Sequence, residues 1–176
     1  MFEKKLFDRY GPKVRVHPVI DVYRDFHIDT TFTVLGYNKK VGKYLVIADG
    51  NRVNPTNMPA IFRGDNWAVI DFTDFKEEHT DPVYTGCSPS IAINFLVVNP
   101  HLAIISHRQT ELKRTLEFYD IEVIPIEHKY AKALEGGVHC SSNDVYREDV
   151  HGFSKIIERP SEELTLYIGT SGTLRP

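Results

Sequence analysis

Only two cysteines, Cys87 and Cys140, occur in 176 residues. That is too few for a disulfide framework and in keeping with a reducing compartment. No run approaches the ~20 apolar residues of a membrane-spanning helix, and Met1-Phe2-Glu3-Lys4-Lys5-Leu6 lacks the apolar core of a signal peptide. These absences predict a cytoplasmic chain with free thiols and no membrane association. Positive charge is also sparse. Lys4-Lys5 and Lys39-Lys40 are isolated pairs in a chain of net charge −3, whereas phosphate backbones are bound by clustered cations that release counterions. No nucleic-acid partner is expected.

What is present is ordinary globular material, 41% hydrophobic and 26% charged. The length suits a single domain over residues 1–176 with its own core. Met1 to Tyr10 reads as a short amphipathic helix closed by Gly11-Pro12, and Val14 to Val19 as a strand. Further strands are expected at Thr30 to Gly36, Tyr44 to Ala48 and Trp67 to Phe72, with a helical turn around Ala60 to Arg63. Asp74 to Thr85 is polar and proline-bearing and reads as a long loop. Next, Ile91 to Val98 and Leu102 to Ile105 flank Asn99-Pro100-His101 as a hairpin, followed by a helix from about Gln109 to Tyr119 and a strand from Ile121 to Ile126. This is a ββαβ module, and the segments from Thr31 to Phe72 read as a weaker copy of its architecture. Leu164 to Ile168 is expected as a closing edge strand before the turn residues Gly169-Thr170-Ser171-Gly172.

Two motifs carry chemistry. Gly136-Gly137-Val138-His139-Cys140-Ser141-Ser142-Asn143-Asp144 sets a thiol between a paired-glycine turn and a small polar run, and Phe26-His27-Ile28-Asp29-Thr30-Thr31-Phe32 offers an imidazole and a carboxylate two residues apart. On a strand, His27 and Asp29 would share a face and project into one cavity. The carboxylate can then hold a planar cation while the imidazole moves a proton. A thiol, a histidine and a carboxylate are the components of covalent acyl or amidino transfer. His139 adjoins Cys140, but neighbours on a strand point to opposite faces, so adjacency alone gives it no role. A cysteine among glycines is more often a small core residue, and strand-end His and Asp residues commonly satisfy turns. The case therefore rests on the combination.

Gly136-Gly137-Val138-His139-Cys140 followed by Asn143-Asp144, together with His27-Ile28-Asp29-Thr30-Thr31-Phe32, resembles the glycine amidinotransferase family of the guanidino-group-modifying superfamily. Arginine deiminases and peptidylarginine deiminases are its more distant members. The resemblance covers roughly Val14 to Arg147. It implies an α+β pentein fold, a propeller-like ring of ββαβ modules around the active site. This chain would supply about two and a half modules, the C-terminal part of the ring. It implies that Cys140 attacks the guanidino carbon of arginine or a related compound, that His27 protonates the leaving amine and deprotonates the acceptor amine, and that Asp29 holds the guanidinium. A loop arginine and a small polar pair hold the substrate's α-carboxylate and α-amine in that family; by rough position these are Arg52 and Cys87-Ser88. No cofactor is implied. Full-length relatives bring a second aspartate from earlier modules, so a homo-oligomer or a complementing chain is expected here.

Two other classes compete. A degenerate pentein scaffold could bind without turnover, and a deiminase-type hydrolase would use the same thiol. A metal reading takes His27 and Asp29 with His79 or His107 as a two-histidine, one-carboxylate set. It leaves the cysteine motif unexplained, so no metal is expected.

Overall fold

The computed structural model describes residues 2–19, 27–75, 89–128, 136–144 and 164–169. Helix α1 (Phe2–Tyr10) carries a Lys4–Asp8 ion pair one turn apart at 2.9 Å and gives way to strand β1 (Val14–Val19). The strand expected at Leu164 to Ile168 is present as β8 (Leu164–Gly169), paired in parallel with β1 so that Val14 faces Leu164. Among the described residues no helix is long and apolar enough to cross a membrane.

Two three-stranded sheets repeat one plan. In the first, β2 (Phe32–Asn38) runs antiparallel to β3 (Lys43–Asp49), and β4 (Trp67–Phe72) returns parallel to β3. In the second, β5 (Leu96–Asn99) is antiparallel to β6 (Leu102–Ser106), and helix α2 (Thr110–Phe118) carries the chain over to β7 (Glu122–Ile126), parallel to β6. The weaker copy differs in its crossover, which is only a 3-10 helix at Ala60–Arg63. Pro55 and Pro59 explain this, because each lacks an N–H, and Asn54 Oδ1 instead accepts the backbone N–H groups of Thr56 and Asn57 in a tight turn.

The residues expected to open the second hairpin do something else. Pro89–Ile93 forms a 3-10 helix, and β5 begins only at Leu96. Ile91, Ala92 and Ile93 are consecutive and all buried. Alternation along a strand would split them between two faces, whereas the 3-10 turn packs Ala92 and Ile93 into one core.

Strand β3 lies at the centre of the packing and is buried on both faces. Leu45 and Ile47 join Ile93, Phe95, Ile105, Leu112 and Leu116 in the larger core, while Val46 and Ala48 join Val19, Phe32, Val53 and Phe62 in the smaller one. Each fully buried aliphatic side chain contributes about 1.5–3 kcal/mol. The first core therefore binds the two sheets to each other. Asn38 Nδ2 reinforces this by donating to Tyr119 O at 2.6 Å, beyond the end of α2.

A bulge in β2 at Gly36 completes the junction. Its φ is +88°, and a Cβ there would lie 2.8 Å from Cγ of Pro100, the turn residue between β5 and β6. Gly36→Ala is expected to destabilise the chain by about 1–3 kcal/mol through backbone strain and that collision. Urea unfolding followed by circular dichroism reads the loss as a lower midpoint; an unchanged midpoint would show that the bulge does not hold the sheets together.

Candidate active site

Asp29 does not sit on a strand. Ile28–Thr30 is a 3-10 helix, with His27 extended just before it at φ −122° and ψ 130°. Thr30 causes the change. Its hydroxyl donates to His27 O at 2.9 Å, the Thr31 N–H donates to Ile28 O at 2.8 Å, and together they close the turn before β2 starts. At three residues per turn, positions two apart no longer share a face. The expectation that the two residues lie on a strand is therefore corrected: Asp29 is partly buried in the 3-10 turn, while His27, just before it, is exposed.

The thiol motif is also a turn. Ser141 N–H donates to Gly137 O at 3.2 Å and Ser142 N–H to His139 O at 3.0 Å, with the two serine hydroxyls bonding the same carbonyls. His139 and Cys140 consequently lie close in angle, and both side chains reach Asp29. His139 Nδ1 stands 2.9 Å from Asp29 Oδ2, and the Cys140 thiol donates to the same oxygen at 3.5 Å. The argument that set His139 aside assumed a strand, and it fails for that reason.

Asn94, which the sequence reading passed over, brings the two motifs together. It is 1% exposed at the end of the Ile91-Ala92-Ile93 run. Its Oδ1 accepts the Cys140 backbone N–H at 3.0 Å, and its backbone carbonyl accepts the His139 N–H at 3.1 Å. Gly137 is needed for this approach, since a Cβ there would strike the carbonyl and side chain of Asn94. The available signal was a lone amide in an otherwise apolar run, which costs several kcal/mol if buried without partners and so implies a specific bonding task. Behind the thiol, Ser141 Oγ meets His128 Nε2 at 3.1 Å.

The electrostatics favour a carboxylate beside a neutral thiol. Burial pushes the Asp29 pKa up, but His139, by hydrogen bond and by charge, together with Asn94 and the Cys140 thiol, holds the net value below the ordinary carboxylate range. Asn94 Nδ2 and Asp29 Oδ1 are both buried and neither completes a hydrogen bond by distance and angle; the amide dipole still stabilises the charge. Because the folded chain binds this proton less tightly than the unfolded one, Asp29 adds stability above about pH 3.9 and loses it as pH falls through the lower folded value. For Cys140 the direction is opposite. Burial first, then the Asp29 charge and hydrogen bond, raise the thiol pKa, against smaller lowering by Asn94 and the Gly137 backbone.

A cleft of about 450 Å³ opens beside this cluster. Asp29, His139 and Asp144 give it a polar side, and Val34, Leu96 and Val97 on the first strands of the two sheets give it an apolar one. Arg52 is close by but engaged: its Nε pairs with buried Asp49 at 3.0 Å, and its Nη1 donates to Thr30 Oγ1 at 3.5 Å, bracing the turn that carries Asp29. Cys87, Ser88 and His79 lie outside the described residues. His107 is held at β7, where its N–H and Nδ1 meet Ile126 O. The ligand-capable cluster found among the described residues is instead Asp29, His139 and Cys140.

Comparison with known proteins gives the chain its relatives. No protein-family model matches the chain. Inosamine-phosphate amidinotransferase 1 of Streptomyces glaucescens is 35% identical over 148 residues, which is 82% of this chain and 39% of that protein. The mitochondrial glycine amidinotransferase of Gallus gallus is 26% identical over 142 residues, covering 78% of this chain and 31% of that protein. The solved structure of the Streptomyces griseus inosamine-phosphate amidinotransferase superposes with a TM-score of 0.63 at 34% identity, covering 82% of this chain and 39% of that one. An amidinotransferase of Microseira wollei, 18% identical with a TM-score of 0.60, shares the fold. The chain thus spans about two-fifths of the Streptomyces inosamine-phosphate amidinotransferases it is similar to, at 39% of their length. Its relatives are amidinotransferases, the partial coverage fits a partial version of them, and the fold it shares with the solved ones is an α+β portion of the pentein fold.

Proposed function

We propose that the chain carries the thiol half of an amidinotransferase site, moving an amidino group from arginine or a related guanidino compound to an amine. The observation that carries this reading is the convergence of Cys140 and Asp29 at 3.5 Å beside an open cleft, in a chain homologous to amidinotransferases over 82% of its length.

The chemistry follows from the charges. A guanidinium placed on Asp29 brings a cation next to the thiol, offsetting the influence that keeps Cys140 protonated. The thiolate then attacks the guanidino carbon. The carbon–nitrogen bond to the ornithine nitrogen breaks as that nitrogen takes up a proton, leaving an amidino thioether. An acceptor amine attacks the thioether carbon, gives up a proton and releases the thiolate. His27 is the proton carrier by motif, and His139 occupies Asp29 until the guanidinium replaces it. Geometry favours a second assignment for the proton, to His139, because it already touches Asp29. Arg52 supports the Asp29 turn, and Cys87 and Ser88 take the substrate's amino-acid end by motif.

A deiminase-type reaction uses the same thiol but expels ammonia, and water then yields citrulline. A binding protein without turnover would keep the arginine affinity and lose the adduct. A homo-oligomer or a complementing chain is the proposed protein partner, and a second carboxylate on the guanidinium would add about 1.5–3 kcal/mol to binding.

Three outcomes are expected. Intact-mass analysis after incubation with arginine shows one added amidino group on Cys140 with ornithine released; citrulline in its place would assign a deiminase, and ornithine release by Cys140→Ala would refute the thiol mechanism. Asp29→Asn removes the adjacent charge, so the pH midpoint of Cys140 alkylation by iodoacetamide, read by peptide mass mapping, falls; a midpoint that stays or rises contradicts the electrostatic account. His27→Ala lowers adduct formation by about 10²-fold or more, while His139→Ala mainly changes the arginine concentration required; the reverse pattern would give the proton to His139.

A further inference from the structure

We propose that Asp29, His139 and Cys140 form a three-ligand site for a zinc-like divalent cation, with its fourth position facing the cleft. This goes beyond transfer chemistry, although it uses residues that the transfer reading also uses. One ligand atom from each residue lies within 4.8 Å of the other two. The Nδ1 to Oδ2 separation is 2.9 Å and the Sγ to Oδ2 separation 3.5 Å. Tetrahedral zinc needs about 3.4 Å between nitrogen and oxygen ligands and about 3.6 Å between sulfur and oxygen ligands. The sulfur–oxygen pair therefore already has the required spacing. The nitrogen–oxygen pair must open by about half an ångström, which the exposed His139 side chain can supply.

The donor set selects the metal. Thiolate, imidazole and carboxylate suit zinc or cobalt, whereas calcium and magnesium want shells of oxygen ligands. The outer shell is also in place. Asn94 fixes the Cys140 backbone through its Oδ1 and the His139 backbone through its carbonyl, the kind of support that orients ligands in metal sites. Asp29 and His139 line the cleft, so an incoming cation has an entry path. On binding, the thiol proton leaves to solvent and the imidazole keeps its proton on Nε2. The cation then occupies the sulfur and the carboxylate together, and a guanidinium on Asp29 is excluded.

Titration of the full chain with cobalt(II) tests this without any turnover. A thiolate-to-cobalt charge-transfer band in the near ultraviolet should grow to one equivalent per chain and be displaced by zinc. Cys140→Ser should abolish it, Cys87→Ser should retain it, and His139→Ala, a substitution at an exposed position, should weaken cobalt binding by about tenfold or more. Absence of the band, its survival in Cys140→Ser, or its loss in Cys87→Ser would overturn the proposal. Arginine added to the cobalt form separates the two readings: a displaced band supports a shared site, and a band that persists keeps the metal site and counts against guanidinium binding at Asp29.

Discussion

The buried amide of Asn94 is the contact on which the site depends. Asp29 enters from the turn before the first sheet, Cys140 from a turn more than a hundred residues later, and neither turn holds the other directly through its backbone. Asn94 stands between them at the end of a 3-10 helix packed into the larger core, and it spends one acceptor on each of two consecutive backbone N–H groups, those of His139 and Cys140. Those two bonds satisfy the buried Oδ1 and carbonyl of Asn94, so the core position of Asn94 and the placement of the thiol support each other. The missing Cβ of Gly137 permits the approach.

From that placement comes an electrostatic tension. Asp29 is held charged and Cys140 is held neutral, each contributing to the other's state. A cation is what the pair lacks. Either a guanidinium or a metal ion would relieve the tension, the first by lying across the carboxylate and the second by binding sulfur and oxygen at once. Both readings thus grow from one arrangement of charge, and they differ in whether the incoming cation is planar and organic or a point charge that demands ligands.

The sheets were legible in the sequence because their signals are local. Apolar, β-branched runs at Lys43–Asp49, Trp67–Phe72 and Leu102–Ser106 became strands, the helix before Tyr119 formed, and the repeated ββαβ plan emerged in both sheets. Errors arose where side chains redirected the backbone. Thr30 closed Ile28–Thr30 into a 3-10 helix where a strand was expected, and Pro89–Ile93 likewise formed a 3-10 helix ahead of β5. His139 was dismissed by strand geometry that its turn does not obey. Asn94 was missed for a different reason: a lone amide in an apolar run signals a bonding task, but the partner lies across 46 positions of sequence, at Cys140, and no local pattern names it.

The chain spans 39% of the length of its inosamine-phosphate amidinotransferase relatives, yet it holds the thiol and one carboxylate together within its own described residues. This pairing, we propose, makes Cys140 a receptor for planar cations. Competitive labelling with a haloacetamidine, a cationic amidine that alkylates thiols, tests it most directly when Cys140 and Cys87 are compared by peptide mapping. Cys140 should be labelled faster by about fivefold or more, since an opposite charge a few ångströms away is worth about 1 kcal/mol even in water, and Asp29→Asn should remove the preference. Equal labelling of the two cysteines would contradict it.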